Sequence, residues 1–407
     1  MNFHPITSIV LALSLLAGCG GGALPGPTQP VGETQPPVPE QISDAELALS
    51  LLKLECVKTP GGNVILSPLS IRRALAMAAN GADGQAKTAL ETLLGMDAGQ
   101  LNAQLGEYLA REDDTLSIAN SMWFSQEMES YVNQEFKDTL AESYRAEEGA
   151  FAPYSQRDAG IINAWVKDRT HGKVDSIVTP DALTPETLAL LINALYFNGQ
   201  WADPFEDYQV SKEKFHAPGG DQDGELMAQR LGTYFETDAA TGFAKSYRDG
   251  YEFVGILPKA EGAVDHTDLA GLDLEAFLAS RTGAYDVDVK LPKFELDYST
   301  SLVDTLTGLG LGSLFGKGSL NGLLTDAAKA AGNEAHVSDV LHKTYMKMYE
   351  EGTEAAAVTA VIVECTSAAI PVEREVKQVF LDRPFAFLIR DTRSGQTVFC
   401  GVINNIM

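Results

Sequence analysis

Residues Glu350 to Thr366, EEGTEAAAVTAVIVECT, constrain the fold more than any other stretch, because their composition admits two kinds of structure. Ala and Glu favour helix, whereas Val, Thr and Ile favour strand. Read with period two, Thr353, Ala355, Ala357, Thr359, Val361 and Val363 share one face, and the first of these are small enough to slip into a packed sheet. The other face carries Glu354, Ala356, Val358 and Ala360. No proline occurs before Pro371, so nothing blocks pairing in the middle of a sheet, where a proline would remove a ladder hydrogen bond. On composition alone an edge strand and an Ala-rich helix both remain open.

With 407 residues, 45% of them hydrophobic, the chain can bury a large core in one big domain or in two to three ordinary ones. Its formal net charge of −26 excludes nucleic acid and heparin-like polyanions as partners. Ile6 to Ala17 is an apolar run too short to span a bilayer comfortably, and it ends Leu16-Ala17-Gly18-Cys19. This end is similar to the lipobox of bacterial lipoproteins, in which the Cys becomes the lipidated first residue. His4 stands in an n-region without Lys or Arg; a plain secretory signal is the other reading. Gly20 to Glu40, rich in Gly, Pro, Gln and Thr, cannot bury a core and reads as a tether. Beside Cys19 the chain has Cys56, Cys365 and Cys400, with no CxxC spacing. Cys56 and Cys400 are expected as buried thiols, with a single bridge left open in an exported chain, and Cys365 as the oxidisable one.

From Ser43-Asp44 a capped helix runs through Leu47, Ala48, Leu51 and Leu52, and Gly61-Gly62-Asn63 ends it. Val64-Ile65-Leu66 leads through Ser67-Pro68 into a buried helix rich in small residues that stops at Gly81. Leu116 to Phe124 reads as a strand, and Leu188 to Phe197, LALLINALYF, as a central buried one. Elements alternate irregularly, with no fixed period, which disfavours a doubly wound sheet. The six histidines form no HExxH or Cys/His spacing, no GxSxG appears, and the Gly-rich tract Gly308 to Lys317 has the wrong spacing for a phosphate loop. These absences speak against an enzyme and against any metal or cofactor.

Glu350-Glu351-Gly352-Thr353-Glu354-Ala355-Ala356-Ala357 resembles the hinge of the reactive-centre loop of serpins. The resemblance extends to Val337–Thr344 before it, Arg383–Arg390 after it, Asn63–Ala82, Leu116–Phe124, Ile161–Val178, Gly199–Phe205, Tyr251–Lys259, Val287–Phe294 and Ser301–Phe315, all in family order. It covers essentially Ser43 to Met407. It implies an α+β serpin-like fold with three β-sheets, eight to nine helices and an exposed reactive-centre loop. Residues 1–18 are then a lipoprotein signal peptide, 19–42 a lipidated Cys and tether, and 43–407 the serpin domain. The resemblance also implies an irreversible suicide-substrate inhibitor: an attacked loop whose hinge, Gly352 to Thr359 (with Val358 its last apolar member), inserts into the main sheet and traps the acyl-enzyme. Ser67, Ser70, Asn193 and His342 resemble the cluster where the sheet opens, and Lys293 with Glu350, near Trp201, the pair that closes its top. Counting from the hinge puts the reactive bond at Thr366–Ser367, with Cys365–Thr366 the first alternative and Arg374–Glu375 a distant one, because Ser367 to Pro384 is longer than in compact members. The small neutral residues there suit an elastase-like or subtilisin-like serine protease. A papain-like cysteine protease and a non-inhibitory surface lipoprotein are the alternatives. The expected partners are the target protease and, through Cys19, a lipid membrane. The expected setting is a monomer on the bacterial cell envelope, at the outer membrane or cell surface, or extracellular if the leader is not a lipobox.

Overall fold

The computed structural model describes residues 7–19, 42–109, 115–353 and 374–407. Its organising strand is β5 (Thr187–Phe197), buried at every position. Period two explains the unbroken apolar run. Leu190, Ile192 and Ala194 face one hydrophobic cluster, under helix Gln156–Arg169, while Leu191, Leu195 and Phe197 face the main cores on the other side.

Around it stands a six-stranded sheet in the order β13 (Phe294–Ser301), β14 (Asn333–Met348), β1 (Thr7–Cys19), β5, β3 (Leu116–Ser125), β4 (Glu147–Phe151). A second six-stranded sheet runs β2 (Val64–Leu66), β18 (Thr397–Ile403), β17 (Phe385–Asp391), β11 (Tyr251–Pro258), β10 (Ala240–Ser246), β9 (Tyr234–Glu236). A four-stranded sheet runs β16 (Val376–Phe380), β12 (Asp286–Pro292), β8 (Gly220–Leu231), β7 (Val210–Ala217). The short pair β6 (Gly199–Gln200) and β15 (Gly352–Thr353) caps one end of the first sheet. The described residues hold ten α-helical segments, of which the last four have six residues or fewer.

Helix α1 (Asp44–Lys58) begins at Ser43 with a reciprocal cap: Ser43 Oγ accepts from the Glu46 N–H (3.2 Å), and Glu46 Oε2 accepts from the Ser43 N–H (3.0 Å). Such a cap contributes about 1 kcal/mol. Helix α2 (Pro68–Ala79) starts at Ser67, with Pro68 in its first turn where no N–H is needed, and its cap at the far end is Asn80, just before Gly81. Eleven of its twelve residues are buried, between the main sheet and the second sheet. This lays the serine-bearing N-terminus of α2 against the middle of β5 and β14.

One placement differs from the sequence reading. The N-terminal apolar run, expected as a leader outside the domain, is strand β1, antiparallel to β14 on one side and to β5 on the other. Strand edges at the centre of a sheet need partners for their N–H and C=O groups. An aliphatic run without proline or charge supplies them as readily here as it would enter lipid.

Candidate functional site

Two places on the main sheet gather the residues singled out from the sequence. The first lies at mid-sheet. The Ser67 N–H donates to His342 Nε2 (3.3 Å), Ser67 Oγ donates to the Val398 carbonyl (2.7 Å), and the Ser70 N–H donates to Ser67 Oγ (3.1 Å). Ser70 Oγ donates to Asn193 Oδ1 at 2.5 Å. The chain of bonds runs on: Asn193 Nδ2 donates to Asn120 Oδ1 (2.7 Å), and Asn120 Nδ2 to the Tyr144 carbonyl (2.8 Å). Asn120 and Asn193 are register partners in adjacent strands.

All of these side chains are buried. Burial alone pushes the His342 imidazole down to about 3, so it is neutral at physiological pH. Because Nε2 accepts, the ring proton sits on Nδ1, and that buried N–H has no hydrogen-bond partner among the described residues.

The second place is the top of the sheet. Lys293 Nζ bridges Glu350 Oε1 (2.7 Å) and Glu225 Oε2 (2.8 Å). Partial burial pulls the ammonium down, but the two carboxylates outweigh it and hold Lys293 above its ordinary value. The same Lys293 contact holds the Glu225 carboxyl below its usual range. The fully buried Trp201 stacks on Tyr247 with ring centroids 4.2 Å apart. Its Nε1 donates to the Tyr349 carbonyl (3.2 Å), and its backbone N–H to the Glu351 carbonyl (3.0 Å).

The stretch expected from the sequence to be the hinge begins here. Gly352 pairs with Gln200 and Thr353 with Gly199. A Cβ on Gly352 would stand 2.1 Å from the Gly199 carbonyl oxygen, so only glycine permits this approach. Thr353 is fully buried, with Oγ1 bonded to the Tyr247 hydroxyl at 2.5 Å and 3.5 Å from Met348 Sδ.

Glu354, Ala355, Ala356, Ala357, Val358, Thr359, Cys365, Thr366 and Ser367 lie outside the described residues. The chain is described again from Arg374, which donates to the Gly283 carbonyl (3.2 Å), while the Glu375 carbonyl accepts from the Asp286 N–H (3.1 Å). The residues on both sides of that bond are thus tied to the start of β12 and the turn before it. Cys19 is the last residue of β1. Cys56 and Cys400 are free and buried, and burial raises both thiols, Cys56 to about 12.

Three participants were missed in the sequence: Asn120, Tyr247 and Glu225. Asn120 left a signal. A lone Asn inside an apolar strand needs partners, and so does Asn193 in LALLINALYF. Among the described residues no group of three His, Cys, Asp or Glu side chains could hold a metal ion, and no helix is long and apolar enough to cross a membrane.

The family model described as Serpin (serine protease inhibitor) matches residues 43–406. The chain is similar to Iripin-8 of Ixodes ricinus, 32% identical over 387 residues, covering 88% of this chain and 91% of that one. It is also similar to Serine protease inhibitor 42Dd of Drosophila melanogaster, at 30% identity over 353 residues, 82% of this chain and 89% of the other. Among solved structures it resembles the native state of Tengpin, a thermophilic serpin, with a TM-score of 0.71 at 28% identity, over 90% of this chain and 96% of that one.

Proposed function

The chain belongs to the serpin family, whose members are generally serine protease inhibitors, and from that premise we propose that it is an irreversible suicide-substrate inhibitor of an elastase-like or subtilisin-like protease. The observation that carries this reading is the docked hinge. Gly352 and Thr353 already pair at the top of the main sheet, and the residues that follow on the Thr353 face, Ala355, Ala357 and Thr359, are small. A charged or bulky side chain there would slow insertion.

The protease serine Oγ attacks the Thr366 carbonyl carbon. The bond to Ser367 breaks, the new amine leaves with a proton, and an acyl ester remains. The freed hinge then zips into the sheet and draws the enzyme with it before water can cleave the ester. New ladder hydrogen bonds and buried side chains drive that step. Ala355 to Thr366 is twelve residues, and the sheet holds a thirteen-residue strand in β1, so the lengths support a break at Thr366–Ser367. The fastened Arg374–Glu375 bond does not suit an extended protease cleft.

In this reading Cys19 carries lipid and the protein guards a bacterial envelope, with residues 19–42 as its tether. The test is to mix the chain from Ser43 onward with elastase-like, subtilisin-like, trypsin-like and papain-like proteases, and run denaturing gels with mass spectrometry of the released peptide. A band at the summed mass, with a peptide beginning at Ser367, is expected for the first two. Clean cleavage near Thr366 with the protease still active sinks the reading, and a band only with the papain-like enzyme redirects it to cysteine proteases.

A further inference from the structure

Strand β1 occupies the place into which the proposed trap must move its hinge. Two ladders show this independently. Beside β5, Thr353 pairs with Gly199; one residue more stands opposite Asn198, and the next opposite Phe197, where Thr7 is found. Beside β14, Gly352 bridges Tyr349; the count then passes Met348, Lys347 and Met346 to reach Tyr345, where Ser8 is found. The hinge strand and β1 therefore run in the same direction and in phase on both neighbours, with a single residue position between Thr353 and Thr7. Continued past Thr353, the hinge would place Ala355 on the position of Thr7 and Thr359 on that of Leu11.

The fit is incomplete at one point. Leu11 stands opposite both Asn193 and His342, and the buried His342 Nδ1–H lacks an acceptor among the described residues. An aliphatic residue at that position offers none. A threonine there brings a hydroxyl. The occupant is thus adequate for the backbone and poor for the polar cluster, as befits a strand that is meant to leave. Residues 20–41, rich in Gly and Pro, join it to α1 and could span about 70 Å when extended.

We propose that Thr7–Cys19 is an autoinhibitory strand: a chain folded with it in place is an ordinary substrate of its target protease, and a chain that has lost it is armed. Hydrolysis of the Gly18–Cys19 bond by a processing peptidase, with water as the co-reactant, removes the strand and frees the slot. Export and activation then become one event, and a chain retained inside the cell leaves proteases there untouched. The consequence for inhibition rests on the trapping mechanism proposed above.

The test compares the full chain with its Leu13→Pro variant. Leu13 pairs with Val340 and Leu191 at mid-slot, and a proline there removes a ladder hydrogen bond and expels the strand. Each protein is cut in the loop, and its thermal midpoint is read before and after. The native sequence should show no change, whereas the variant should rise by more than about 10 °C as the cut loop inserts. An equal rise in both overturns the proposal. A second measurement stands apart from the variant's folding. Asn333→Cys, in a Cys365→Ser background, should form a disulfide with Cys19 in the full chain, since the two positions are register partners. Failure to form it overturns the proposal. A variant that gains thermal stability without trapping any serine protease leaves the autoinhibitory strand standing and defeats the inhibitor reading alone.

Discussion

The middle and the top of the main sheet hold it together by different physics. At the middle, Ser67, Ser70, Asn120, Asn193 and His342 form a buried, neutral hydrogen-bond chain that crosses from α2 through β5 to β3. At the top, a half-exposed ion triad of Lys293, Glu225 and Glu350 sits beside a buried aromatic stack that grips the hinge. A buried network is stiff, because each broken bond leaves an unsatisfied partner. A solvated ion pair exchanges easily with water and salt. The contrast sets a pliant ion triad at the top of the sheet against a rigid, partner-demanding cluster at its middle; in the proposed mechanism the first is where the hinge starts to move and the second lies deeper along its path.

The largest effect should come from the middle. Asn193→Ala removes the acceptor of Ser70 and the donor to Asn120, and should cost about 2–4 kcal/mol, read as a lower urea midpoint at unchanged slope. An unaltered midpoint would erase the distinction between the two regions. Acid should come next. His342 is neutral when folded, with its value pushed to about 3, so its contribution is fully present above the unfolded value of about 6.5 and is lost as pH falls toward the folded one. Between pH 7 and pH 5 the chain should lose about 2 kcal/mol, and His342→Gln should lose visibly less over the same interval. The smallest effect belongs to the top. Lys293→Met should cost about 1 kcal/mol or less, shrinking as salt is added, while speeding amide exchange at Gly352 and Thr353. If that variant instead destabilised the chain as much as Asn193→Ala, the top would be a lock rather than a latch.

Much of this was legible residue by residue. LALLINALYF announced a strand covered on both faces, and β5 is buried at all eleven positions. Ser43-Asp44 announced a helix start, and α1 begins there. The quartet Ser67, Ser70, Asn193 and His342 was named from resemblance, and the bonds join all four. Tyr247 was not legible. Its bond to Thr353 spans 106 residues, and nothing local in the sequence around Tyr247 points to a hinge. Glu225 escaped for the same reason, one acid among many in a chain whose formal net charge is −26.

The sequence by itself determined the element types, the family, and the small-residue hinge, because helix and strand periodicity and side-chain size are local properties. Only the tertiary structure decided the register. The phase of β1 with Gly352–Thr353, the lack of an acceptor for His342 Nδ1–H among the described residues, and the sharing of Lys293 between two carboxylates all depend on which residues stand opposite across strands far apart in the chain. A shift of one residue turns every side chain to the other face, so a pattern that specifies a strand leaves its partner, and hence its function, to the packing of the whole.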